Sequence, residues 1–347
     1  MNKRLQRVKL LQPTNPNKAT LIVGGLASGI LNWDDIKYAQ THDDYKKLLA
    51  NRWTPFEVNM TDDAKKYPTL GRRTQDAFEN IISLLASLDS IQPNLLGAIA
   101  PYITDTSFKA LISTIAADEV VHNYSYSYVL SSIVNKSKQD KVFENARMNP
   151  KILKRNKVVF DLYDEFVANP TILNLVRALV GVVVLEGINF YSGFAFFYNL
   201  ARNKLMTGTA VMIEYIQRDE KSHLKIGGQL LRGILAENPE IDKDGSFSDF
   251  VYETIQKAVE EEIEWSRYAL RDIEGIDLEE MEEYIQYIGN KRLNMLGLEH
   301  IYDVDDNPMP WIKAYSDEEI NLTHTDFFEQ KSRLYAKTTD TNGFDDL

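Results

Sequence analysis

Apolar residues recur at three- and four-residue spacing along most of the chain, and polar or Gly/Pro-bearing stretches separate the runs. That period is the signature of amphipathic helices, whereas the alternation expected of strands is nearly absent. Residues 1–30 are polar and punctuated by Gly, Asn and Pro, which predicts an extended surface arm. The Gly24-Gly25 segment has no Lys-Ser/Thr ending and reads as a turn rather than a phosphate loop. A short amphipathic helix is predicted over Ile36–Asn51, broken by Trp53-Thr54-Pro55. From Asp62 a long helical pattern runs until it stops near Pro93. A capped start around Thr106-Ser107 opens a helix over Phe108–Val134. Residues 135–150 read as a polar connection, and Ile152–Val167 as a helix ending at Asn169-Pro170. Then come one long apolar helix, Ile172–Asn203, and another over Thr209–Leu235. Two more, Phe250–Leu270 and Leu278–Met295, follow a polar linker at 236–249. The fold class is all-α, with an arm at 1–30, a helical domain at 31–325 and a flexible tail at 326–347.

The apolar middle of Ile172–Asn203 has the composition of a membrane span. Glu186 and Asn189 lie inside it, however, and no second such segment exists, so it reads as the central helix of a large bundle. At 347 residues, with 44% hydrophobic and 26% charged residues, the chain can bury a sizeable core. A net charge of −12 without a basic cluster argues against nucleic-acid binding. The chain has no cysteine, which excludes disulfides, thiolate metal sites and cysteine nucleophiles. The first residues lack the apolar run of a secretory signal, so a cytoplasmic location is expected.

The predicted helices carry a specific chemistry. Glu119 and His122 form a Glu-x-x-His pair with Tyr126 one turn further, all on one helix face. Glu220 and His223 repeat the pair on a later helix. Asp89 and Glu186 add a carboxylate each from two other apolar segments. Four carboxylates and two imidazoles on four helices are the inventory of a dinuclear metal site inside a helix bundle. Two divalent ions would neutralise them, and oxygen-rich ligation with one nitrogen per ion suits iron or manganese better than zinc. Acidic residues on helices more often form solvated faces or salt bridges. Glu186 argues against that, because burying it unpaired would cost several kcal/mol and no Lys or Arg lies within a turn of it. Tyr126 shares the ligand face, while Phe190, Phe194 and Ile216 fall one or two turns from ligands on other helices. Such an apolar cage would shield an oxidised phenol. Tyr124 and Tyr128 point to other faces and read as ordinary packing.

These motifs resemble the radical-generating small subunit of class I ribonucleotide reductase. The likeness runs through Asn51-Arg52-Trp53-Thr54-Pro55, LLASLDSIQ, DEVVHNYSY, VLEGINFYSGF, RDEKSH and the late HTDFFEQKSRLY, nearly the whole chain. It implies a ferritin-like bundle with additional helices. It assigns Asp89, Glu119 and His122 to one ion and Glu186, Glu220 and His223 to the other. Tyr126 would be the radical tyrosine. Trp53 and Asp219 would form the relay outward from His122, and Tyr335 would pass the radical to a large catalytic subunit. The resemblance further implies two iron or two manganese ions per chain, a homodimer, and a flavoprotein activator if manganese is used. Asp89 and Tyr126 are the residues of tyrosyl-radical members; a manganese–iron branch has Glu in place of the first and lacks the second. An iron-storage protein or a di-iron oxidase would share the ligands, but not the caged tyrosine or the aromatic-bearing tail.

Overall fold

Helices account for nearly all the regular structure of the computed structural model, which describes residues 4–316. In chain order they are α1 (Gln40–Asn51), α2 (Thr61–Lys66), α3 (Arg72–Ile99), α4 (Thr106–Ile133), α5 (Lys136–Met148) and α6 (Pro150–Ala168). These are followed by α7 (Ile172–Gly187), α8 (Tyr191–Arg202), α9 (Thr207–Glu237), α10 (Ser246–Ala269) and α11 (Leu278–Met295). Among the described residues there is no strand, only isolated bridges pairing Arg4 with Thr171 and Val23 with Ile103. Residues up to Pro308 form one compact unit. The described part of a second holds the turn Pro310–Ile312 and the short helix Lys313–Ser316.

Four helices close a ring: α3 packs along α4, α4 meets α9, α9 lies along α7, and α7 returns to α3. Their starts are fixed by specific acceptors. Asp105 caps α4 by accepting from the backbone N–H of Ser107 and Phe108, both at 3.0 Å, and Thr171 caps α7 through Asn174 N–H at 3.1 Å. The start of α9 borrows its cap from α2, where Asp63 accepts from Gly208 N–H at 2.9 Å and Thr209 N–H at 2.7 Å. Free N–H groups at a helix start need such partners, each worth about 1 kcal/mol.

Three expectations are corrected. The helix expected to stop near Pro93 continues through it to Ile99. Proline removes the hydrogen bond to the carbonyl four residues back, here that of Asp89, so the irregularity falls at a candidate ligand without ending the helix. Residues 135–150 are not a simple connection, because Lys136–Met148 is helical. Its buried side chains are only Val142 and Ala146, a stripe too narrow to register as a periodic pattern, and Asn135 supplies the cap to Lys138 N–H at 3.0 Å.

The long helix over Ile172–Asn203 is in fact two, α7 and α8, parted at residues 188–190. Buried side chains from distant helices satisfy the carbonyls at the break. Arg292 of α11 donates from Nε to Gly187 O at 2.7 Å, and Arg155 of α6 donates from Nη2 to Asn189 O. Gly187 is required there, since a Cβ would lie 2.8 Å from Arg292 Cδ. This apolar run is the one among the described residues long enough to cross a membrane, and 83% of its most apolar window is buried within the protein. The N-terminal arm is extended as expected, but it is not merely laid on the surface. Ile22 is fully buried and its N–H donates to Glu237 Oε2 at 2.7 Å.

Candidate metal centre

Each helix of the ring turns acidic or imidazole side chains inward. Asp89 comes from α3, Glu119 and His122 from α4, Glu186 from α7, and Glu220 and His223 from α9. None of the six is more than 1% exposed. Their donor atoms gather in two overlapping groups, Asp89–Glu119–His122 and Glu119–Glu186–Glu220–His223, in each of which the atoms lie within 4.8 Å of one another. The division matches the one expected from the motifs, except that Glu119 belongs to both groups and so sits between the two positions. His122 Nδ1 faces Glu220 Oε1 at 2.9 Å and Glu119 Oε2 at 3.6 Å. His223 Nδ1 lies 3.0 Å from Glu119 Oε1.

Hydrogen bonds leave much of this cluster unsatisfied. Asp89 Oδ1, Glu119 Oε2, Glu186 Oε2, both oxygens of Glu220, His122 Nδ1 and His223 Nε2 are buried without a hydrogen-bond partner. Orphaned buried acceptors are rare and cost about 1–3 kcal/mol each, more when charged. Such a concentration of them, aimed at one another, fits a site built for cations. The donor set of carboxylates with one imidazole per position suits iron or manganese.

The electrostatics of the chain alone point the same way. Burial, then the charges of Glu119 and Glu220, pushes Asp89 well above the usual carboxylate range. Burial and Glu220 do the same to Glu186. Burial opposes the ionised form of Glu119 too, but the imidazoles of His122 and His223, 3.6 Å and 3.0 Å from its oxygens, outweigh it and hold that group down at about 2. For His122, burial acts against protonation, and the carboxylates of Asp219, Glu119 and Glu220 set around the ring overcome it and raise the imidazole well above its ordinary value. His223 is raised likewise through Asp118, Glu119 and Glu220. Protons thus stand in for part of the positive charge that the cluster demands.

Tyr126 is 1% exposed and donates from its hydroxyl to Asp89 Oδ2 at 2.7 Å. Burial, then the Asp89 charge, raises its pKa well above that of a free phenol. Phe190, Phe194 and Ile216 are all buried, and the two phenyl rings stack at 5.5 Å. Tyr124 is 48% exposed, whereas Tyr128 is half-buried and bonds Val58 O at 3.3 Å. On the other side of His122, Asp219 Oδ2 accepts from Trp53 Nε1 at 2.7 Å and faces His122 Nε2 at 3.4 Å. The indole and imidazole rings stack at 6.3 Å. A carboxylate bonded to the outer imidazole nitrogen fixes the ring so that the inner one faces the site. Tyr335 lies outside the described residues.

Sequence reasoning missed two neighbours of Glu186. Gln92 donates from Nε2 to Glu186 Oε1 at 2.5 Å, and Tyr163 on α6 donates its hydroxyl to Gln92 Oε1 at 2.8 Å. Gln92 had a legible signal, since it lies three residues after Asp89 and thus on the same face of α3. Tyr163 had none, because only tertiary packing brings α6 alongside. Among the described residues no cationic partner from afar reaches Glu186: Arg155 and Arg292 approach the same turn but donate to backbone carbonyls, Glu262 and Tyr191.

The chain matches the family model described as ribonucleotide reductase, small chain, over residues 30–308. It is 48% identical over 346 residues to a ribonucleoside-diphosphate reductase subunit beta from Halalkalibacterium halodurans, covering 99% of both chains. Among solved structures it resembles a putative class I ribonucleotide reductase from Bacillus halodurans, with a TM-score of 0.86 and 46% identity over 90% of this chain and 100% of the other. It also resembles the ribonucleotide reductase R2 subunit from Clostridium botulinum, with a TM-score of 0.87 and 33% identity over 90% of this chain and 99% of that one. With its four-helix ring, inward carboxylates and matched length, this chain belongs to the ribonucleotide reductase small-chain family.

Proposed function

We propose that this protein is the small subunit of a ribonucleoside-diphosphate reductase, which generates a radical on Tyr126 and delivers it to a large catalytic subunit that reduces ribonucleotides. The observation that carries this reading is the hydrogen bond from Tyr126 to Asp89, which couples a buried phenol to a ligand of the metal centre. Asp89, Glu119 and His122 would hold one ion, and Glu186, Glu220 and His223 the other. When bound, a pair of iron or manganese ions supplies the oxidising power, drawn from oxygen or an oxygen-derived species, to take one electron from the phenol.

The chain's own residues set the terms of that step. A neutral buried phenol must lose its proton together with its electron, and Asp89 Oδ2, at 2.7 Å, is placed to receive it. Burial of Tyr126 keeps water and reductants away from the product. Trp53, Asp219 and His122 form a bonded path from the centre outward, and Tyr335 would continue it across the subunit interface. The absence of cysteine in this chain suits a division of labour in which the thiol chemistry of reduction belongs to the partner. The working small subunit is a cytoplasmic homodimer, and with manganese it takes its oxidant from a flavoprotein activator.

The test is spectroscopic. Protein loaded with iron or manganese and supplied with its oxidant should give a sharp tyrosyl absorption and an electron-paramagnetic signal near a g value of about 2, and it should turn over with the large subunit. Metal uptake without either signal would move the protein to the storage or oxidase class.

A further inference from the structure

A file of three side chains runs from α6 through α3 to Glu186 on α7. The Tyr163 hydroxyl donates to Gln92 Oε1 at 2.8 Å, and Gln92 Nε2 donates to Glu186 Oε1 at 2.5 Å. Tyr163 is only 4% exposed and Gln92 is fully buried. An amide beside a carboxylate has two orientations, and only the one with its NH2 toward the oxygens is attractive when that carboxylate is ionised. The carboxylate selects that orientation, and the tyrosine hydroxyl, donating to the amide oxygen, anchors the amide in it. Glu186 Oε1 is thereby tied back, and Oε2, which has no hydrogen-bond partner among the described residues, is left for the ion.

The seat for Tyr163 is built into α7. A Cβ on Gly181 would come within 2.8 Å of Tyr163 Cε1. Glycine in a helix interior is less favourable than alanine, and here the space it leaves is filled by the ring that holds Gln92.

We propose that Tyr163 is a positioning residue for Glu186, acting through Gln92 to fix which carboxylate oxygen faces the metal. The inference rests on the ligand assignment made above, and it concerns a residue that touches no ligand directly. Manganese(II) alone is the probe, with the two binding steps of the full chain resolved by calorimetric and paramagnetic titration. Glu186→Ala and Asp89→Ala identify which step belongs to which position. Tyr163→Phe should weaken the step lost in Glu186→Ala by about tenfold and leave the other unchanged. Gly181→Ala, which crowds the ring while keeping the hydroxyl, should reproduce that selective weakening. In a Gln92→Leu background the further change Tyr163→Phe should cost nothing more, since the intermediary is gone. Equal weakening of both steps, no weakening, or an undiminished effect in the Gln92→Leu background would overturn the role of Tyr163. If Glu186→Ala itself left both steps intact, the ligand assignment would fall and this inference with it.

Discussion

The hydroxyl of Tyr126 and the carboxylate of Asp89 share a 2.7 Å hydrogen bond although they stand on different helices. Asp89 therefore has one oxygen on the phenol and the other, Oδ1, without a hydrogen-bond partner. Tyr126→Phe removes only the donor. The variant should fold, take up two ions per chain, give no tyrosyl signal and show turnover at background. A radical of unchanged line shape in Tyr126→Phe would transfer the role to another tyrosine.

Glu186 separates stability from function. In the ion-free protein its buried carboxyl group costs free energy, so Glu186→Leu should stabilise that form by about 1–3 kcal/mol. Thermal unfolding in chelator should show a midpoint raised by several degrees, while the same variant binds one ion per chain instead of two. A lower midpoint in chelator would mean that the Gln92 hydrogen bond outweighs the burial cost.

Asp219 orients His122, and Asp219→Ala frees the ring. Affinity at the His122 position should fall about 10–100-fold, with the Glu186 position little affected. Manganese(II) titration checks this; loss of both positions together would indicate collapse of the bundle.

The pH dependence has a definite sign. Asp89, Glu186, His122 and His223 are all raised in the ion-free chain, so each holds a proton above its ordinary pKa. Their contribution to ion-free stability is complete below the unfolded values, about 4 for the acids and about 6.5 for the imidazoles. It is lost as pH climbs through the displaced folded values. Glu119, held at about 2, is ionised throughout the neutral range and does not change the trend. Ion-free protein should thus lose stability between pH 5 and 8, on the order of a few kcal/mol, whereas ion binding, which expels these protons, should tighten with rising pH. Calorimetry in buffers of different ionisation enthalpy measures the proton release directly, and pH-independent binding would contradict the assignment.

The roles proposed for the tail, docking and electron transfer, can be tested apart. Removing residues 339–347 should weaken association with the large subunit, with activity partly restored when that subunit is in excess. Tyr335→Phe should leave association nearly intact and abolish turnover, with the Tyr126 signal still forming. An active Tyr335→Phe protein would send the relay through another residue.

The clustered candidate ligands were legible because burying a charged side chain leaves a mark in sequence: a carboxylate amid valines and phenylalanines, as at Glu186, has few stable explanations. The Glu-x-x-His spacing worked because helical neighbours at three residues share a face. What escaped was set by tertiary packing. The division of α7 from α8 depends on Arg155 and Arg292, which arrive from helices far off in sequence. The helix α5 has too little apolar surface to announce itself, and α3 survives Pro93 because its neighbours hold it on both sides of that residue. Tyr163 reads as an ordinary core tyrosine until its hydroxyl is seen on Gln92.

The end of α7 carries one more consequence. Peptide dipoles summed along a helix leave roughly half an electron of negative charge at the C-terminal turn, and Glu186 stands one residue before that end. A carboxylate there is opposed by its own helix as well as by burial. Two guanidinium groups reach this turn, yet both donate to backbone carbonyls, and Arg155 is already paired with Glu262. These side chains answer the backbone carbonyls, whereas Glu186 has only the Gln92 amide and a proton of its own. The polypeptide therefore folds with its unrelieved carboxylate character confined to the face that looks into the ring, where protons meet it only in part and bound cations would meet the rest.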